Sequence, residues 1–185
     1  MNVQLFIPCF IDQLYPQVAF NMVKVLEKVG CTVKYNPNQT CCGQPAFNAG
    51  FWSESKSVCD KFLDDFNGTD YIVSPSASCT GFVRNYYGKL YENSAQINVA
   101  KKTSARIYEL SDFLINILKI EDVGATFNGK VTYHDSCAAL RECNTKTEPR
   151  KLLSKVKGLE LVEMNDVETC CGFGGSFAVK FEPIS

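Results

Sequence analysis

Cysteine is the residue type in this sequence most able to do chemistry, and the chain has ten of them. Cys9 is followed, 32 positions later, by a Cys-Cys-Gly triplet at 41–43. Cys137 is followed, 33 positions later, by a second Cys-Cys-Gly triplet at 170–172. A pattern that recurs at nearly the same spacing indicates a duplicated structural unit.

The first copy of this pattern also contains Cys79, which lies 37 positions after Cys42. The equivalent position in the second copy would lie at about 208, if the copies have equal length. Because the sequence ends at Ser185, we expect the second copy to be truncated before its last cysteine.

Thiolates gathered at one point are soft ligands, which favour iron–sulfur clusters, zinc or copper(I). Structural zinc sites usually use paired C-x₂-C knuckles, and the sequence has none. Adjacent cysteines suit a cluster of several irons, so we predict iron–sulfur chemistry and keep zinc as the alternative. The candidate ligands are Cys9, Cys41, Cys42 and Cys79 for a first cluster, and Cys137, Cys170 and Cys171 for a second cluster whose fourth ligand is missing.

The elements that must position these cysteines alternate between strands and helices along the chain. The hydrophobic pattern predicts strands at 3–8, 31–36, 70–76, 130–136 and 159–164, and helices at 16–30, 49–66, 78–91, 104–118 and 148–158. Such alternation predicts an α/β fold, here two pseudo-symmetric βαβ repeats with parallel sheets. Parallel strands all end at the same edge, so cysteines that follow different strands should meet there.

The repeat also suggests how the chain is divided. We expect a first repeat at 1–95, a connecting segment with a helix at 96–128, and an incomplete second repeat at 129–185.

Composition excludes several functional classes. The formal net charge is −1, from 19 basic and 20 acidic residues, so neither a nucleic-acid surface nor an anionic membrane is indicated. No apolar stretch approaches the ~18 residues of a membrane span, and the start of the chain lacks a secretory leader. We therefore expect a cytoplasmic protein, where thiols stay reduced and many cysteines indicate metal binding or redox chemistry.

Several single residues allow both a structural and a functional interpretation. Cys31 and Cys59 lie outside the repeat and are expected to be buried structural thiols, because free cysteine packs as a small hydrophobe. Cys143 remains open between packing and a redox or ligand role. His134, the only histidine, is either a strand-end residue bonded to backbone or a catalytic proton carrier near a cluster. Arg84 and Arg141 could each bind a substrate carboxylate, although a solvated position is the simpler interpretation.

On these residues the sequence resembles the CCG cysteine-rich domain family, whose members include a subunit of heterodisulfide reductase and the iron–sulfur subunit of glycolate oxidase. The doubled motif covers nearly the whole chain, and "YHDSCAAL" around Cys137 is similar to a His-Asp-x-Cys stretch of that group. One departure is "SASC", in which Ser76 replaces the first cysteine of a C-x-x-C present in the heterodisulfide reductases. This departure argues against a five-thiolate cluster in the first copy and leaves four ligands for a [4Fe-4S] type.

The resemblance implies an iron–sulfur subunit of an oxidoreductase complex that oxidises a 2-hydroxy acid, above all L-lactate to pyruvate. Its implied partners are the other subunits of such a complex, including a ferredoxin-like iron–sulfur subunit. No G-x-G-x-x-G follows a strand, so neither NAD nor flavin is expected in this chain. The alternatives are a zinc-binding or metal-free assembly subunit, and a thiol–disulfide redox subunit of the heterodisulfide reductase kind.

Overall fold

A computed structural model describes residues 1–185 of the chain. The strands are β1 (Asn2–Leu5), β2 (Thr32–Tyr35), β3 (Tyr71–Ser74), β4 (Ile107–Glu109), β5 (Thr126–Val131) and β6 (Lys157–Leu161). The helices are α1 (Cys9–Leu14), α2 (Pro16–Lys28), α3 (Gln44–Asn48), α4 (Trp52–Asp65), α5 (Ala77–Tyr86), α6 (Ser94–Ser104), α7 (Leu110–Asp112), α8 (Thr147–Ser154) and α9 (Ser176–Lys180). Short 3₁₀ turns at Tyr87–Leu90 and Glu182–Ile184 and π-helical stretches at Phe113–Ile117 and Ala138–Glu142 complete the secondary structure.

Four of the strands form one parallel sheet in the order β2-β1-β3-β4. β1 occupies a central position, and its Val3 and Leu5 side chains are buried. The remaining two strands, β5 and β6, form a separate parallel pair. The predicted α/β class with parallel sheets is therefore confirmed.

Helices cover both faces of the four-stranded sheet. On one face, α4 and α5 contribute to an aromatic core in which the Phe6 ring meets the Phe62 ring edge-on at 4.8 Å. On the other face, Met22 and Leu26 of α2 pack with Phe113 against the sheet. Burial of apolar area on both faces is the main force that holds the sheet and its helices together.

Local sequence signals explain how α2 begins and ends. Pro16 occupies the first turn of α2, where its missing N–H removes no helical hydrogen bond. Gly30 follows the helix with a φ of +86°, a conformation that glycine adopts without the penalty of a Cβ. The chain can thus turn directly from α2 into β2.

The predicted helix over 104–118 is wrong in its first part. α6 ends at Ser104, and Ile107 then pairs in parallel with Ile72 to begin the edge strand β4. The apolar spacing of this stretch fits either element, and the fully buried Ile107 is accommodated by the sheet edge, so tertiary pairing decides the outcome. Only from Leu110 onward is the segment helical.

The strand predicted at 130–136 lies earlier in the chain than expected, at Thr126–Val131. β5 ends at Val131, so the His-Asp stretch at 134–135 lies in the loop after the strand. The pattern does not predict the two short helices α1 and α3, because neither is long enough to show a hydrophobic period.

The segment after Cys137 packs against α5. Asn85 donates from its amide to the Glu142 backbone carbonyl at 2.9 Å and to the Glu142 carboxylate at 2.8 Å. A side chain at Gly81 would collide with the Cβ atom of Glu142, so this close approach requires glycine. The two cysteine-bearing parts of the chain therefore share a contact at α5.

None of the helices combines the length and apolar composition that crossing a bilayer requires.

Candidate functional site

The four cysteines of the first copy follow three neighbouring strands. Cys9 opens α1 just after β1, Cys41 and Cys42 lie in the loop between β2 and α3, and Cys79 is in the first turn of α5 after β3. The Cys9 and Cys41 sulfurs are 3.7 Å apart. Three separate stretches of chain thus bring thiols to one edge of the sheet.

Cys42 lies at the centre of this group. Its side chain is 1% exposed, and it belongs to the core cluster against which Cys41 and Cys79 pack. The neighbouring Cys41 thiol, the Cys79 thiol and burial, in that order, raise the pKa of Cys42 well above its usual value.

Cys41 is the thiol most readily ionised. The hydrogen bond from Cys42 lowers the pKa of Cys41 to about 5, and the Gly43 N–H, which donates to the Cys41 sulfur at 3.4 Å, acts in the same direction. Burial and the neighbouring charge of Cys41 instead raise the pKa of Cys9 to about 11. One thiolate of the group is thus already formed at neutral pH, which favours binding of a soft metal.

Gly43 allows the loop to adopt this geometry. Its φ is +90°, and a Cβ atom there would come within 3.1 Å of the Ser55 carbonyl oxygen. Ser55 donates from its hydroxyl to the Gly43 carbonyl at 3.0 Å, and Tyr87 donates to the Cys42 carbonyl at 2.8 Å. No sequence signal connects Ser55 or Tyr87 with the site, because both lie far from the motif along the chain.

Hydroxyl groups surround Cys79. The hydrogen bond from Cys42 lowers the pKa of Cys79, and the Ser76 and Ser78 hydroxyls lower it further. Ser76 is the N-cap of α5, where its side chain accepts from the Cys79 N–H at 3.5 Å. The serine that replaces a cysteine of the C-x-x-C pattern thus serves as a helix cap.

The cysteines of the second copy are less enclosed. Cys137, Cys170 and Cys171 are all exposed, and no hydrogen bond joins Cys137 to the pair. The local turn is nevertheless reproduced, because the Gly172 N–H donates to the Cys170 sulfur at 3.4 Å and Gly172 has a φ of +79°. The same sequence triplet gives the same backbone geometry in both copies.

His134 is bonded to the backbone beside the second cysteine pair. Its Nε2 atom lies 2.8 Å from the Thr169 carbonyl oxygen, and the Asp135 N–H donates to the Val167 carbonyl at 3.0 Å. Arg150 also donates a bidentate pair of hydrogen bonds to the Asp135 carboxylate, from Nη1 to Oδ1 at 2.6 Å and from Nη2 to Oδ2 at 3.2 Å. These contacts hold the Cys137 loop against the loop that precedes Cys170.

The remaining cysteines have packing roles. Cys31 is buried in the core beneath α2, and Cys59 is fully buried in the aromatic core with its thiol 3.7 Å from the Cys42 carbonyl oxygen. Cys143 donates to the Ala77 carbonyl at 3.2 Å, and burial raises the pKa of the Cys143 thiol to about 11. Cys143 therefore joins the second copy to the first turn of α5.

The two arginines that could bind a substrate carboxylate differ in how far the fold already engages their side chains. Arg84 bonds through Nη2 to the Asp112 carboxylate at 2.8 Å and through Nε to the Ile107 carbonyl at 2.8 Å, so two of its nitrogens are engaged within the fold. Arg141 is exposed on the π-helical stretch after Cys137.

Whether these residues suit a metal group can be judged from the donors themselves. No three His, Cys, Asp or Glu side chains are arranged as a binding site for a single ion. The first group offers four thiols, the backbone N–H of Gly43, and the adjacent Thr80 hydroxyl, which is buried without a hydrogen-bond partner. Soft donors with nearby hydrogen-bond groups fit a sulfur-rich centre such as an iron–sulfur cluster.

Comparisons with known proteins agree with the motif. The profile of the CCG cysteine-rich domain matches residues 3–84 and 131–185. The whole chain is 44% identical to lactate utilization protein A of Geobacillus kaustophilus, covering 77% of that protein. It is also 44% identical to lactate utilization protein A of Halalkalibacterium halodurans and 42% identical to that of Bacillus subtilis, covering 76% and 78% of those proteins. With both repeats of the motif matched and relatives this similar over its full length, the chain belongs to the CCG cysteine-rich domain family.

Proposed function

We propose that this protein is an iron–sulfur subunit of a complex that oxidises a 2-hydroxy acid, with L-lactate as the substrate and pyruvate as the product. Its relatives are named for lactate utilization, which supports this choice of substrate. The other subunits of the complex, one of them ferredoxin-like, would be its partners. On this proposal 1–95 and 129–185 are two CCG repeats joined by the segment 96–128.

The observation that carries the proposal is the convergence of the first four thiols. Cys9 and Cys41 lie 3.7 Å apart across 32 positions of sequence, and Cys41 and Cys79 both pack against the core cluster that contains Cys42. A structural core has no need to gather four thiols at one edge of a sheet, whereas a [4Fe-4S] cluster takes four thiolate ligands. Cys9, Cys41, Cys42 and Cys79 would hold this cluster.

A bound cluster would supply one-electron transfer between the substrate-oxidising part of the complex and an acceptor. The chain's own residues prepare for it in three ways. Cys41 provides a preformed thiolate, Gly43 directs a backbone N–H at that sulfur, and the Ser76 and Ser78 hydroxyls stabilise the Cys79 thiolate. Hydrogen bonds to ligand sulfurs raise the reduction potential of such a centre.

The second group would hold a further cluster through Cys137, Cys170 and Cys171. The repeated glycine turn, with its N–H directed at Cys170, supports this assignment. In this proposal His134 is a positioning residue, because its ring bonds to the Thr169 carbonyl next to the pair.

Zinc is the competing occupant of the first group. Two thiolates on one zinc ion lie roughly 3.8 Å apart, from Zn–S bonds of about 2.3 Å in a tetrahedron, and the Cys9–Cys41 separation of 3.7 Å has that length. Only this pair matches, because no third side chain is arranged with it around a single ion. Zinc would make the protein a structural or assembly subunit with no electron-transfer role.

The test is metal analysis after anaerobic purification and reconstitution with iron and sulfide. We expect about four irons and four sulfides per filled site, with an EPR signal that appears or disappears on dithionite reduction. Cys42→Ser should abolish the signal of the first cluster. Cys31→Ser is the matched control, because Cys31 is buried on the opposite face of the sheet, and it should retain the signal. Stoichiometric zinc without sulfide, or a cluster unaffected by Cys42→Ser, would contradict the proposal.

A further inference from the structure

A cleft of about 310 Å³ opens next to α3, the helix that follows the Cys41–Gly43 loop. It lies between α3 and α5, and it is closed on one side by the second copy of the motif. Its lining residues are Gln44, Phe47, Asn48, Phe82, Tyr86 and Glu142. This volume is in the range of sites that hold a small organic molecule.

The walls of the cleft are aromatic. The Phe47 ring meets the Phe82 ring at 5.2 Å and the Tyr86 ring at 5.5 Å, while Phe82 and Tyr86 stack within 18° of parallel. The aromatic surface continues outward to Trp52, which stacks on Phe47 at 6.2 Å and is 64% exposed. Phe82 is only 1% exposed, so the surface on which a flat ring could stack is formed by Phe47, Tyr86 and Trp52.

The polar groups of the cleft restrict the ligand further. Gln44 and Asn48 carry side-chain amides that can donate to carbonyl oxygens. Glu142 is the one ionisable carboxylate in the lining, and its oxygens already accept from Tyr86 at 3.1 Å and Asn85 at 2.8 Å. No lysine or arginine lines the cleft, so a phosphate or carboxylate would meet negative charge without a counter-ion. A nucleotide and a 2-hydroxy acid are therefore disfavoured, and an uncharged ring with carbonyl groups is favoured.

The cleft shares its supporting elements with the thiols. Gln44 follows Gly43 directly, and Tyr86 is followed by Tyr87, whose hydroxyl holds the Cys42 carbonyl. Phe47 and Tyr86 pack on the same core cluster as Cys41 and Cys79. A redox-active molecule in the cleft would thus lie close to a centre held by these sulfurs.

We propose that the cleft between α3 and α5 binds the ring of a quinone, stacked on its aromatic walls with the carbonyl oxygens accepting from Gln44 and Asn48. The role of this quinone as electron acceptor rests on the proposed function. Oxidation of the 2-hydroxy acid to a 2-oxo acid releases two electrons and two protons. A quinone in the cleft would take up both electrons, and two protons from solvent, to become the hydroquinone.

Binding can be measured on the metal-free chain, because Trp52 is its only tryptophan and stacks on Phe47 of the cleft wall. The probe is 2,3-dimethyl-1,4-naphthoquinone, whose substituted ring positions prevent arylation of the cysteines. We expect saturable quenching of Trp52 fluorescence. Gln44→Leu and Asn48→Leu should each weaken binding about fivefold to tenfold, the usual effect of one lost hydrogen bond. Gln96→Leu, on the exposed surface of α6, is the matched control and should bind as the wild type does.

Quenching that rises linearly without saturation, or saturable quenching unchanged in both cleft variants, would overturn the proposal. This experiment needs no metal, so its result is independent of whether the iron and sulfide analysis succeeds. The acceptor role is tested separately on dithionite-reduced, cluster-loaded protein. There the quinone should reoxidise the cluster more slowly in Gln44→Leu than in Gln96→Leu, and equal rates would remove the acceptor role.

Discussion

The Cys9 sulfur lies 3.7 Å from the Cys41 sulfur, although 32 positions of sequence separate the two residues. Each thiol lies in a different strand-to-helix connection, so their contact depends on the parallel pairing of β1 with β2. A disulfide bond is about 2.05 Å long, and the pair would need only a modest movement to form one.

We predict that mild oxidation of the metal-free chain by diamide joins Cys9 to Cys41. The two thiols lose two electrons and two protons to diamide, which becomes the hydrazine. Peptide mass spectrometry under non-reducing conditions should find the Cys9–Cys41 cross-link as the main product. A vicinal Cys41–Cys42 disulfide is strained and should be minor. The cross-link should disappear in Cys9→Ser and persist in Cys137→Ser, and a product dominated by other pairs would contradict the geometry of the site.

Alkylation of the thiols should reveal the low pKa of Cys41. Because the hydrogen bond from Cys42 lowers the pKa of Cys41 to about 5, its reactive thiolate should persist well below neutral pH and be lost only as the pH falls through about 5. Cys9, whose pKa is raised to about 11 by burial and by Cys41, should react slowly at the same pH. Iodoacetamide labelling of the metal-free chain from pH 4 to 9, followed by mass spectrometry, measures both.

A variant identifies the cause of this reactivity. Cys42→Ala removes the hydrogen bond that stabilises the Cys41 thiolate, so the midpoint of Cys41 labelling should move to higher pH. Cys31→Ala, in the core beneath α2, is the control and should leave the midpoint in place. A midpoint near that of an ordinary thiol in the wild type would show that the Cys42 hydrogen bond is absent in solution.

The sequence predicts which cysteines meet at the edge of the sheet, but not the side chains that contact them. The four cysteines can be brought together because alternating elements imply a parallel sheet, and each cysteine follows a strand. The contacts of Ser55 and Tyr87 with the cysteine loop could not be predicted, because they depend on how α4 and α5 pack over that loop. Likewise, the hydrophobic spacing around Ile107 fits both helix and strand, and only its partner Ile72 decides between them.

Gly81 should be required for the contact between α5 and the segment after Cys137. An added methyl group would collide with the Cβ atom of Glu142, in a region where Asn85 and Tyr86 also bond to that residue. We expect Gly81→Ala to lower the free energy of unfolding by about 1–3 kcal/mol, as overpacking of a close contact usually does.

The matched control for this change is Gly88→Ala. A Cβ atom at Gly88 would meet no atom within 4 Å, and its φ is not positive, so the same substitution there should change stability little. Urea denaturation followed by circular dichroism measures both variants. Equal stability of the two would mean that α5 and the segment at 138–142 separate in solution.

The buried ion pair between Asp135 and Arg150 should hold the second cysteine group in place. Asp135 is 1% exposed, and Arg150 bonds to both of its oxygens at 2.6 and 3.2 Å. Breaking a buried pair leaves one charge without a partner, so Asp135→Ala should lower the free energy of unfolding by about 3–5 kcal/mol. Arg150 also bonds to Glu163, which is far more exposed, so Glu163→Ala is the control and should have a much smaller effect.

Because Asp135 also bonds through its N–H to Val167, hydrogen exchange in the loop at 167–172 should accelerate in Asp135→Ala and remain near the wild-type rate in Glu163→Ala. Unchanged exchange in that loop would mean that the ion pair supports only the fold around α8 and leaves the cysteine pair unaffected.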